Sequence, residues 1–126
     1  MKPEMLAESA IDSKALLASK FALGQHIDFS STLSTEGFVC LNPQYGTPEH
    51  AMLRVIYSPS NALLDAKSYQ QYIMSFHNVG VSIENACQRI CKDLGELLHP
   101  TSLSIEMNFG PVSGYRNFVR AEWKAT

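Results

Sequence analysis

The chain has 126 residues, with 10 Lys and Arg against 12 Asp and Glu, a formal charge of −2, and 45% hydrophobic to 17% charged residues. That balance excludes a disordered chain and suffices for one domain with a real core. The pI of about 6.0, with no basic arm and no apolar run of bilayer-spanning length, leaves nucleic acid and membrane without an expected footing as partners.

Residues 1–24 read as an N-terminal extension: Glu4 to Lys20 is rich in Ala, Leu, Ser and Lys, a predicted short helix with Gly24 as its stop. Acidic and polar residues interrupt this N-terminus early, unlike a secretion signal, so a cytoplasmic protein is expected. Residues 25–126 form the predicted single domain. His26 to Cys40 is strand-like, Asn42 to Pro48 is turn-rich, and Ala51 to Tyr57 is a second strand closed by Ser58-Pro59-Ser60-Asn61, a predicted hairpin.

Two helices follow. The first is predicted from Leu63 to Phe76, on the spacing of Ala66, Tyr69, Ile73 and Phe76. The second runs from Ser82, a suitable N-cap, to Leu98, with Ile83, Cys87, Ile90, Leu94 and Leu97 as its apolar stripe and Pro100 after its end. Leu103, Ile105, Met107 and Phe109 then alternate with Ser104, Glu106 and Asn108, the period-two sign of a strand with one wet face. Gly110 to Gly114 turns the chain into a last strand, Tyr115 to Trp123. Two hairpins around a helix pair imply an α+β fold, a four-stranded antiparallel sheet in the order ββααββ with both helices on one face. Its bare edges would be covered by neighbouring copies, so a homo-oligomer is expected.

The three cysteines, Cys40, Cys87 and Cys91, are odd in number and lack Cys-x-x-Cys spacing, so no structural disulfide is expected. The four histidines, at 26, 50, 77 and 99, lack a His-x-His pair, and no metal is expected.

Between residues 36 and 114 a series of landmarks occurs in order: Phe38-x-x-Leu41-x-Pro43-x-x-Gly46-x-Pro48-Glu49; Asp65-Ala66-Lys67-Ser68; Tyr72-Ile73-Met74-Ser75-Phe76-x-Asn78-x-Gly80; and Glu84 at the start of the second helix. In this order they resemble the tunnelling-fold nitrile reductases of the queuosine pathway, the 7-cyano-7-deazaguanine reductases. The resemblance implies a sheet that closes into a barrel between subunits, as a pentamer or decamer, with sites between neighbouring chains. It implies a purine-like or deazapurine ligand anchored by Glu84, with Ser75, Phe76 and Asn78 beside it, and NADPH as the cofactor, with Lys67 in the cofactor motif.

Where the family has its nucleophilic cysteine, this chain has Asn42, whose amide cannot form the family's covalent thioimide. Cys40, two residues away, is an alternative nucleophile or a packed thiol. Glu49 stands at the family's proton-donor aspartate and could act as an acid, or be a solvated carboxylate. Glu84 either grips the N–H edge of a 2-amino-4-oxo heterocycle or only complements the helix dipole. Ile83 replaces a family histidine and Val112 a cofactor-loop arginine. The expected functions are an enzyme of deazapurine metabolism with altered chemistry, a non-catalytic ligand-binding or scaffold homologue, or a residual reductase using Cys40.

Overall fold

The computed structural model describes residues 4–112 and 114–125, the side chains of 111 and 112 aside. The predicted helix over Glu4–Lys20 is absent. In its place are two 3₁₀ turns, Glu8–Ala10 and Ser13–Ala15, and a short strand β1, Ala18–Lys20. A short isolated helix is marginal in water, and here tertiary hydrogen bonds win. Asp12 N donates to Ser75 Oγ at 2.9 Å, Leu17 N donates to Ser68 Oγ at 2.9 Å, and Ile11 and Leu16 sink into the core.

Strands β2 (Ser31–Leu41) and β3 (Pro48–Ser58) form the first hairpin. The short strand β4 (Ala62–Leu64) pairs with β1. Helix α1 covers Ala66–Met74, later than the predicted start at Leu63, because Asp65 caps it by accepting from Ser68 N at 2.9 Å. Helix α2 spans Ile83–Leu98; Ser82 Oγ accepts from Asn85 N at 3.1 Å, and His99 closes the C-terminus in the left-handed region at φ 42°. Strands β5 (Ser102–Val112) and β6 (Tyr115–Glu122) complete an antiparallel sheet in the order β2-β3-β5-β6. Ser113, inside the predicted turn, lies outside the described residues.

One sheet face is the core. Phe38, Cys40, Ala51, Leu53, Val55, Tyr57, Leu103, Ile105 and Met107 meet the buried stripe of α2, Ile83, Ala86, Cys87, Ile90, Cys91, Leu94 and Leu98. A bulge shapes this face: Thr35 pairs with Leu53 but Phe38 with Ala51, so β2 carries one extra residue at Glu36–Gly37. Because side chains alternate, that residue turns Phe38 and Cys40 inward. The helices are tied by Tyr72 Oη donating to Asp93 Oδ2 at 2.7 Å, with Arg89 Nε donating to the same oxygen at 2.8 Å. The Trp123 indole lies against the backbone of α2 at Gly95, where an added Cβ would collide with the ring. The opposite face carries an ion-pair row, Arg54–Glu106 at 3.4 Å and Arg120–Glu106 at 3.6 Å. Among the described residues no helix is long and apolar enough to cross a membrane.

Candidate functional site

The sheet end formed by the close of β2, the start of β3 and the start of β6 gathers most of the chemistry-bearing residues. After Leu41 the chain turns tightly. Asn42 N donates to Thr47 O at 2.8 Å and Gly46 N to Asn42 O at 2.7 Å. The Asn42 carboxamide oxygen accepts from the N–H groups of Gln44 at 2.9 Å and Tyr45 at 3.0 Å, which makes it the organiser of the turn. With the oxygen so engaged, the amide nitrogen points the other way and donates to Glu49 Oε2 at 3.4 Å. Glu49 is half-buried and directly opposite Cys40 in the β2–β3 register, on the helix-covered face.

The same end receives the lead into α2. Leu41 N donates to Val79 O at 2.9 Å and Val81 N donates to Leu41 O at 3.1 Å, so the stretch before Ser82 is stitched beside the residue that precedes Asn42. Glu84 therefore emerges, exposed, in the first turn of α2 at this end. Asn117, at the start of β6 and absent from the sequence-derived set, donates through Nδ2 to Glu84 Oε2 at 3.4 Å. Its signal was available: the inward positions of β6 are Asn117, Val119 and Ala121, continued by Trp123 just after the strand, a period-two row whose first member is polar.

The remaining expected site residues lie along α1 and the stretch that follows it. Phe76 is fully buried, its ring centroid 5.3 Å from those of both Phe38 and Tyr72. The Ser75 hydroxyl donates to Tyr72 O at 2.6 Å and accepts from Asp12 N, closing α1. Asn78 is exposed, and its main-chain oxygen accepts from Leu6 N at 2.7 Å. Lys67 stands at the far end of the sheet. Leu64, just before α1, donates its N–H to Tyr57 Oη, and Tyr57 pairs with Ser31 and Leu103, whereas the exit of α1 leads to Gly80, paired with Leu41. Among the described residues no three His, Cys, Asp or Glu side chains are grouped to hold a metal ion.

Cys40 does not fit the alternative of a nucleophile. Its side chain is fully buried, and burial first, then the Glu49 charge, pushes its thiol from 9.0 up to about 12. At pH 8 that lowers the thiolate fraction by about a thousandfold against an ordinary cysteine. Iodoacetamide at pH 8 is expected to leave Cys40 unlabelled in the native protein and to label it after unfolding in urea; prompt native labelling would refute this. The sign of the shift also fixes a pH dependence. A thiol with a raised folded-state value contributes stability below pH 9, and that contribution is lost as pH rises from 9 towards 12, where only the unfolded chain ionises readily.

An antiparallel sheet with two helices on one face, and a carboxylate at the head of the second helix beside a polar turn, is the arrangement of a tunnelling-fold protein. The family model described as QueF-like protein matches residues 48–125. The NADPH-dependent 7-cyano-7-deazaguanine reductase of Syntrophus aciditrophicus (strain SB) is 33% identical over 97 residues, 77% of this chain and 69% of that protein. The enzyme of the same description from Thermoanaerobacter pseudethanolicus (strain ATCC 33223 / 39E) is 36% identical over 90 residues, 71% of this chain and 68% of its own length. The chain belongs to the QueF-like family. Its fold is also that of the archaeosine synthase QueF-Like in the apo form, with a TM-score of 0.69 at 18% identity, covering 74% of this chain and 91% of the other.

Proposed function

We propose that this protein binds a guanine-like or 7-deazaguanine base at the sheet end through Glu84, and that Glu49, oriented by Asn42, is its proton-transfer group. The observation that carries the reading is the ribbon of hydrogen bonds between Leu41 and Val79–Val81, which sets the Asn42–Glu49 turn beside the start of α2. A carboxylate there can accept two parallel N–H bonds from the 2-amino-4-oxo edge, at the positive end of the helix. The family relatives, described as acting on 7-cyano-7-deazaguanine, supply the ligand class.

The chemistry differs from that of a thiolate-dependent reductase. Asn42 is not a nucleophile, its carboxamide is committed to the turn and to Glu49, and the Cys40 thiol is buried and protonated. What this end offers is a carboxyl group able to give or take a proton beside a bound base, as addition, hydrolysis or amino transfer requires. Within one chain Lys67 lies at the opposite end of the sheet from Glu49 and Glu84, so a cofactor phosphate held by Lys67 would meet this end only across a subunit boundary, and the proposed proton transfer itself needs no hydride. The open edges of β2 and β6 suit pairing with further copies, a homo-oligomer in which neighbouring chains wall the site.

The test is a calorimetric titration with 7-cyano-7-deazaguanine beside guanine and a pterin, without cofactor, followed by intact-mass measurement of the complex. Binding of one of the three with unchanged protein mass is the expected result. An added ligand mass would overturn the non-covalent chemistry and restore a cysteine nucleophile, and failure of all three to bind would overturn base recognition in favour of a scaffold.

A further inference from the structure

Asn117 occupies an inward-facing position at the start of β6, opposite Phe109, where the next inward residues, Val119, Ala121 and Trp123, pack against the core. Packing gives no reason for a carboxamide in that row. Its one hydrogen-bond partner among the described residues is Glu84 Oε2, at 3.4 Å. A carboxylate can only accept, so the amide must present its nitrogen to Glu84, which leaves a second N–H and the amide oxygen for something else.

We propose that Asn117 is a specificity-determining residue of the base site, donating its second amide hydrogen to the ring oxo group of the heterocycle whose N–H groups Glu84 accepts. The proposal rests on the base-binding reading above. The edge of a guanine-like base presents, in order, the exocyclic amine, the ring N–H and the oxo group. When the two carboxylate oxygens take the amine and the ring N–H, the oxo group falls just beyond the oxygen that holds the ring N–H. A donor already seated against Glu84 Oε2 is placed to meet it. Glu84 then reads the donors of the edge and Asn117 the acceptor, so a base that keeps both donors but weakens the acceptor is discriminated against by Asn117 alone.

The pair guanine and 6-thioguanine isolates that step, because sulfur replaces the oxo group while both N–H donors remain; hypoxanthine, which lacks only the amine, reports on Glu84. In calorimetric titrations the wild-type protein is expected to prefer guanine over 6-thioguanine by about tenfold. In Asn117→Leu that preference falls to about one while the preference for guanine over hypoxanthine persists. Asn117→Asp, nearly isosteric and without a donor, gives the same loss and serves if the leucine variant fails to fold. An unchanged guanine to 6-thioguanine ratio in either folded variant overturns the proposal and leaves Asn117 only a brace for Glu84. Absence of guanine binding by the wild-type protein overturns the base-binding reading itself, and the two failures are thereby distinguished.

Discussion

Glu84→Ala is expected to lower affinity for a guanine-like base by about a hundredfold, close to 2.8 kcal/mol at 1.4 kcal/mol per factor of ten. It is expected to change thermal stability very little. The two readouts separate because Glu84 has two possible employers. As a carboxylate in the first turn of α2 it complements the helix dipole, an effect of about 0.3–1 kcal/mol at an exposed position. As a ligand for two N–H groups it makes charge-assisted bonds whose loss leaves both donors of the bound base unpaired. Glu84 is exposed, and the cap itself is supplied by Ser82 Oγ on Asn85 N, so folding does not depend on this side chain. Glu84→Gln sharpens the test: it keeps the shape but presents an NH₂ group to one donor of the base, and should lose nearly as much affinity. Titration beside a thermal melt decides. Unchanged affinity in Glu84→Ala would reduce the residue to a helix-dipole contact.

The parts of the fold that were legible in the sequence are those where one local rule acts alone. Helix α2 carries a 3.6-residue stripe between a serine cap and a proline, and runs from Ile83 to Leu98. Strand β5 alternates in sequence, and its inward residues Leu103, Ile105 and Met107 are buried, although Ser104 on the other face is buried too. The site was legible only in part, because its geometry is decided by events between segments. The bulge at Glu36–Gly37 turns Cys40 into the core, and the sole local hint of it is a glycine within a strand. The Glu4–Lys20 segment has helix-forming composition, but its course is set by hydroxyls of Ser68 and Ser75, more than 50 positions away. Lys67 belongs to a motif with Asp65, yet which sheet end it occupies depends on where β4 docks, through Tyr57.

Phe76→Ala is expected to cost about 3–5 kcal/mol of folding stability, the range for deleting a large aromatic from a core. The family motif that contains Phe76 suggests a ligand contact; the structure gives its ring a different setting. It has no exposed surface, tilts at 55° to Phe38 and stands edge-on at 88° to Tyr72, both centroids 5.3 Å away. Such tilted and edge-on pairs contribute beyond their buried area, by about 0.5–1.5 kcal/mol each, and removing the ring empties a space bounded by α1 and β2 that rigid neighbours cannot close. Tyr72 is further anchored to Asp93 at 2.7 Å, so it cannot swing in to fill the gap. Against a total stability of about 5–15 kcal/mol for a domain of this kind, the melting temperature should fall by about 10–20 °C. Phe76→Leu, which retains most of the volume, should recover more than half of that. A melt unchanged within about 2 °C, together with loss of base affinity, would show that the ring faces the ligand after all, and would move the binding site from the start of α2 to the end of α1.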